Sequence, residues 1–316
     1  MNKKTRKLIF TLSTNARITT KALGQLLRTS QQSVSYQIKQ LLAKKLLLGY
    51  VVLADPAMLG LVNVLVGFNL LDQSQKAKKT ILDKFLTHKD IIAVYEGDQG
   101  IDLLVEFCTS NLSAFNKQYH ELIHDHHTLV ETRFIYPVIV KHRYLKNYLI
   151  NKPDTADIVL CGDRKKQGLS QEERTVLTTM ILHPDFTLVA LAKETNLSVK
   201  TVMTIKKRLE QNKIIRGYSC FFNLQELGIR RYQIFLCLKP EGIFELDKLV
   251  EFAKNNKNVT GVDKIIGPYQ IMLTVEEFEK TSLLKELRTT FPIQDYFIVD
   301  VERIQKVTYL PVPLPE

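Results

Sequence analysis

Leu46-Leu47-Leu48-Gly49-Tyr50 lies over Ile214-Ile215-Arg216-Gly217-Tyr218 at a shift of 168 residues, without a gap. The same shift sets Ser30 on Ser198, Val34 on Val202, Leu41 on Leu209 and Leu59-Gly60 on Leu227-Gly228. Self-similarity at one fixed period, carried by apolar and turn-forming positions, marks a duplicated structural unit. The chain therefore reads as a tandem duplication, roughly residues 1–150 and 168–316, joined over 151–168 by a connector rich in Lys, Asp and Pro.

Upstream of the first of those pentapeptides, the pattern predicts three short helices. Residues 7–12 form the first, and Thr20 caps a second over 21–27. Arg28-Thr29 makes a tight turn, and Ser30 caps a third helix whose Val34, Ile38 and Leu41 share one buried face. Gln32, Tyr36, Lys39 and Gln40 then point the other way, with Ser33 and Ser35 at the edges of that face. Amides pair with adenine edges, while hydroxyls and lysine bond phosphates or guanine, so this is the chemistry of a nucleic-acid reader. Arg17, Lys21, Arg28 and the Ser30 hydroxyl complete the first candidate set. Residues 1–60 hold ten Lys or Arg and a single acid, Asp55, which is +9 of the formal net charge of +11. Such a surplus in one segment favours a polyanionic partner.

The second copy repeats the plan with helices over 171–182, from a Thr187 cap to 194, and from a Ser198 cap to 210. Its outward face carries Lys200, Thr204, Lys207 and Arg208, with Thr201 beside them. Residues 169–228 have eight Lys or Arg against six acids, and Lys206 stands at the Ile38 position while Ile205 supplies the core contact. Weaker DNA binding, or a packing role, follows from that composition.

Other classes are narrowed by composition. Cys108, Cys161, Cys220 and Cys237 form no CxxC pair, which argues against a zinc ribbon and fits a reducing, intracellular setting. The basic start is followed by only Leu8 to Phe10 before polar residues intervene, so no export signal is expected. The apolar run over 46–71 is broken by Gly49, Asp55-Pro56 and Gly60 into short β pieces, not a membrane span. His120, His124 and His127 share a helix face, but solvent-exposed helix-end histidines account for them without a metal. No catalytic triad, phosphate loop or dinucleotide fingerprint is present, so no enzyme is expected.

Behind each helical unit the pattern changes. In the first copy it predicts strand 62–70, helix 76–86, strands 91–96 and 102–108, helix 114–123 and strand 131–140. In the second it predicts strand 232–238, helix 246–254, strands 259–266 and 270–275, helix 281–289 and strand 296–307. Both orders are βαββαβ, the ferredoxin-like arrangement. The expected fold is thus α+β: winged helix-turn-helix units at 1–60 and 169–228, ferredoxin-like domains at 61–150 and 229–316, and a linker at 151–168.

A Ser-capped reading helix, then Leu47-Leu48-Gly49-Tyr50, Asp55-Pro56 and Leu59-Gly60, leading into βαββαβ, resembles the Lrp/AsnC (feast/famine) family of transcription regulators. The likeness runs through nearly the whole chain, twice. It implies a cytoplasmic, sequence-specific regulator whose partner is double-stranded DNA, whose sheets pair as an intrachain pseudo-dimer and assemble further into a homo-oligomer, and whose loops sense a small-molecule effector such as an amino acid. The family's ligand loop falls on Gly97, Asp98, Gln99, Gly100 and Asp102 in the first copy and on Gly267, Tyr269 and Gln270 in the second, where Gln replaces the usual acid. Two alternatives remain open. One is an architectural DNA-coating protein; the other is a tetrapyrrole enzyme like the siroheme decarboxylases, whose hairpin is similar to Gly267-Pro268-Tyr269.

Overall fold

The computed structural model describes every residue except Gln99, Lys152, Pro153 and Glu316. The first copy runs α1 (Lys3–Thr14), α2 (Thr20–Leu27), α3 (Gln31–Ala43), β1 (Leu47–Ala54), β2 (Val62–Leu70), α4 (Gln75–Thr87), β3 (Ile91–Asp98), β4 (Leu103–Thr109), α5 (Leu112–His126) and β5 (Val130–Tyr144). After β6 (Asp157–Cys161) come α6 (Gln171–Leu182), α7 (Leu188–Thr195), α8 (Val199–Gln211), β7 (Ile215–Phe222), β8 (Arg230–Leu238), α9 (Leu246–Asn255), β9 (Val259–Ile265), β10 (Ile271–Glu277), α10 (Leu283–Thr290) and β11 (Ile293–Val307). The expected α+β architecture, a winged helix-turn-helix followed by βαββαβ, is present twice.

The duplication shows in the backbone itself. Three pairs of residues 168 apart turn left-handed together: Arg28 (φ 52°) and Asn196 (55°), Lys45 (52°) and Lys213 (59°), Gly60 (72°) and Gly228 (70°). L-residues visit this region at a cost, so agreement at these positions reflects one repeated chain path.

The chain divides into two compact units that do not follow the two copies. The first comprises Met1–Tyr50, Val140–Val159 and Tyr218–Arg303; the second comprises Val51–Ile139, Leu160–Gly217 and Ile304–Glu316. Each unit holds the helix-turn-helix of one copy and the sheet of the other.

In the first unit the sheet order is β11-β8-β10-β9, with residues 140–144 of β5 and then β6 beyond β9. β8 pairs antiparallel with both β10 and β11. Leu249, Ala253, Leu283 and Leu287 of α9 and α10 bury against Ile234, Leu236, Leu273 and Val275, which alternate with the opposite face along each strand. A second core joins Leu8, Leu12, Leu23, Val34 and Leu41 of α1–α3 to Cys220, Phe222, Leu224 and Ile229 of the other copy. In the second unit β5-β2-β4-β3 repeats the same order, and residues after 303 run along β3, where Thr308 N donates to Ile92 O at 2.7 Å. Phe68, Phe85, Phe107 and Phe115 fill its core with ring centroids 5.2 to 5.3 Å apart.

The connector differs from the expectation of a plain linker, because it carries β6, which extends the sheet of the first unit, and its residues from Leu160 on are fastened within the second unit. Cys161 N donates to Asp55 Oδ1 (2.8 Å), Gln167 N donates to Met58 O (2.7 Å), and Arg164 lies 3.6 Å from Asp55 Oδ2. Asp55 is fully buried, and burial raises its pKa against the opposing pull of Cys161 N–H and Arg164. No described helix is long and apolar enough to cross a membrane.

Candidate nucleic-acid interface

The first reader is assembled from local capping. The side chain of Thr19, not Thr20, accepts from Ala22 N at 3.2 Å and starts α2. Thr19 lies 168 residues before the Thr187 that caps α7, so the repeat carried the signal for the right residue. Arg28 closes α2 in a left-handed cap, and Ser30 Oγ accepts from Ser33 N at 3.1 Å to start α3. Val34 and Leu41 anchor the helix in the core; Ile38 is half-buried against them.

With α3 so rotated, Gln32, Tyr36 and Lys39 are exposed together, Tyr36 to 64%. Ser33, Ser35 and Gln40 are half-buried at the margins, and Ser33 Oγ accepts from the Gln37 amide at 3.2 Å. Lys21 and Arg28 are exposed at the two ends of α2. Lys44 and Lys45, exposed just past α3, extend this basic edge; two adjacent lysines directly after the helix were the overlooked signal. Arg17 is displayed differently: half-buried, its guanidinium sits 4.9 Å over the Tyr218 ring, beside the bond from Ala16 N to Tyr218 O. Its place is the joint between α1 and the neighbouring strand.

That strand forms the wing of the first unit. Asn223 N donates to Leu46 O, Ser219 Oγ donates to Ser13 O, and a Cβ at Gly49 would stand 2.9 Å from the Phe221 ring. Glycine at 49 therefore leaves room for the Phe221 ring to lie against that position.

In the second helix-turn-helix, Ser198 Oγ accepts from Thr201 N at 3.0 Å, and Val202, Ile205 and Leu209 are buried, Ile205 taking the core place as its position implied. Lys200, Thr204 and Lys207 are exposed; the Thr201 hydroxyl is bonded to Ser198 Oγ at 2.8 Å. Arg208 pairs with Glu173 at 3.1 Å and Lys206 with Glu210 at 2.6 Å.

The residues assigned to an effector loop serve the hairpins. Asp102 N donates to Phe68 O and Gln270 N to Leu236 O, both at 3.0 Å; Gly97 N donates to Asp102 O, and Ile265 N to Gln270 O. Leu70 N donates to Asp102 Oδ2 (2.7 Å), and Leu238 N donates to Gln270 Oε1 (2.9 Å). Each pair is again 168 residues apart. An amide oxygen accepts a backbone N–H as a carboxylate does, so Gln for Asp leaves this task intact. Tyr269 Oη donates to Asp295 Oδ2 at 2.8 Å; Asp98, Gly100 and Gly267 are exposed, and Gln99 lies outside the described residues. His120 and His124 on α5 and His127 at its C-cap are exposed, and the described residues contain no cluster of three metal-ligating side chains.

These features define a class: a chain with two winged helix-turn-helix units and two ferredoxin-like sheets, with a strongly basic first helix-turn-helix. Residues 1–47 match the family model described as winged helix-turn-helix DNA-binding. No curated protein matches the sequence. Among solved structures, the siroheme decarboxylase NirDL shares the fold over 97% of this chain and 93% of its own, at 12% identity and a TM-score of 0.59. Its complex with an iron-uroporphyrin III analogue gives 96% and 93%, 12% identity and 0.57. An AsnC family transcriptional regulator from Agrobacterium tumefaciens aligns over 46% of this chain and 97% of its own, at 15% identity and 0.39.

Proposed function

We propose that this protein is a sequence-specific DNA-binding transcription regulator, and not an enzyme, that α3 reads bases in the major groove, and that Lys21, Arg28, Lys39 and Lys44 hold phosphates. The observation that carries this reading is the joint exposure of Gln32, Tyr36 and Lys39 on a capped, core-anchored helix within a segment that has ten basic residues and one acid. The match of residues 1–47 to a DNA-binding family model supports it. Its setting in this reading is the cytoplasm, and a small-molecule effector, such as an amino acid, would meet it at the exposed hairpin loops of its sheet domains. Selection of duplexes from a random pool tests it: the protein should enrich a defined motif, and a protein that binds all duplexes alike would instead be architectural.

A second reading follows from the shared fold of NirDL, which extends over both copies. Fold alone does not assign chemistry. Titration of the protein with an iron tetrapyrrole, followed by absorbance, separates the two: a saturable spectral change at one equivalent supports the enzyme reading, and free-ligand spectra throughout support the regulator.

A further inference from the structure

The two reading helices carry different side chains on matching positions. At the shift of 168, Gln32 corresponds to Lys200, Ser33 to Thr201, Tyr36 to Thr204 and Gln40 to Arg208, whereas Lys39 corresponds to Lys207. The comparison is sound because the local frame repeats: Thr19 and Thr187 cap the preceding helix, Arg28 and Asn196 turn left-handed, Ser30 and Ser198 cap the reader, and Val34 and Val202 are fully buried. A change of residue in this frame changes what is presented, not where.

What is kept and what changes divide by chemistry. The kept lysine suits a phosphate, which carries no sequence information. The changed positions suit bases. The Gln32 amide both donates and accepts, which matches adenine N6 and N7; the Lys200 ammonium only donates, which matches guanine O6 and N7. The Thr204 hydroxyl is turned back to Lys200 O at 3.0 Å, leaving its methyl group as the outward contact, suited to the thymine methyl; Tyr36 offers an exposed ring and hydroxyl instead. Arg208 is drawn to Glu173, away from this set, and the one acid of α8, Glu210, is held by Lys206. A helix kept only for packing has no need of an outward face on which two lysines stand exposed while its one acid is paired.

We propose that α8 is a second base reader with a preference unlike that of α3, so that the preferred DNA of this chain is a directional site made of two different half-sites. This rests on the DNA-binding reading above. Identical subunits present one helix twice and match a palindrome. Two covalently joined copies are under no such symmetry, and here the positions that would read bases are the ones that have diverged.

The test is selection from a random duplex pool with the full-length protein, Gln32→Lys and Lys200→Gln, each variant first shown to melt like the parent. The parent should enrich a motif with unlike halves. Gln32→Lys should alter base preference in one half and Lys200→Gln in the other, each by on the order of tenfold in relative affinity. A palindromic motif, or a Lys200→Gln variant that enriches the parental motif unchanged, would overturn the proposal while leaving sequence-specific binding in place. Enrichment of no motif at all would overturn both it and the regulator reading.

Discussion

Gln32, exposed early in α3, is assigned to base edges in the proposed reading of α3. Gln32→Ala should cost about 1 to 3 kcal/mol on the preferred site and little on random DNA, measured by titration of both duplexes. Arg28 tests the other kind of contact, and its backbone allows a clean experiment. It sits at φ 52°, where Asn stands in the second copy, and Asn tolerates that region better than Arg. Arg28→Asn should therefore hold or raise stability, by up to about 1 kcal/mol, while weakening binding to both DNAs and reducing the salt slope by about 0.9. Loss of stability would mean that the arginine also packs. Buried carboxylates set the acid limit. Burial alone would raise Glu276, but Lys146 and Arg231 beside it outweigh burial and hold its pKa below the ordinary 4.5; Tyr148 Oη donates to it at 2.6 Å. Asp263, against Arg143 and Lys141, is likewise held below 3.8. A depressed carboxylate contributes stability above its unfolded pKa and loses it as pH falls through the folded one. Denaturant unfolding should therefore show stability dropping below about pH 4.5, and Glu276→Gln should lose about 3 kcal/mol at neutral pH because two partly buried cations lose the charge that faces them. Asp55 has the opposite sign: its raised pKa contributes stability below 3.8 that is lost as pH rises through the raised value.

The hairpins after β3 and β9 show how an element assigns a residue its task. Asp102 and Gln270 differ in charge, yet each accepts the N–H at the end of the first strand of its sheet, Leu70 or Leu238. Asp102→Asn should keep that bond and cost little, whereas Asp102→Ala should leave Leu70 N unpaired and cost about 1 to 3 kcal/mol of stability. Equal, small losses for both variants would show that the carboxylate is free for another partner. Periodicity made the bounds of β2 and α6 legible residue for residue, because a strand or helix buried on one face writes its period into the chain. It placed the ends of α1 and α5 short, since capping and tertiary support extend both beyond the apolar repeat. Within α8, Ile205 was legible as the core substitute for Lys206, because helical rotation fixes which neighbour can reach the core. Arg17 was not: a basic residue in a basic segment reads as a phosphate contact until the ring beneath it is known.

At the scale of the molecule, the compact units mix the copies, and this yields a direct test. A protease cut between Lys165 and Lys166 divides the chain so that both units retain segments from each fragment. The two fragments should co-elute on a sizing column and separate only in denaturant; free fragments in buffer would mean that each copy stands alone. The sequence by itself determined the duplication, the order of helices and strands in each copy, and the faces that α3 and α8 turn outward, because caps, turns and amphipathic periods are settled by residues a few positions apart. Only the tertiary structure decided which copy completes which unit. The bond from Asn223 N to Leu46 O, and the shared core of Val34 with Phe222, join residues far apart in sequence through contacts that either copy could chemically supply. Equivalent strands have nearly equivalent apolar patterns, so the choice between a copy's own partner and its twin rests on chain connectivity and packing in three dimensions, which no local pattern records.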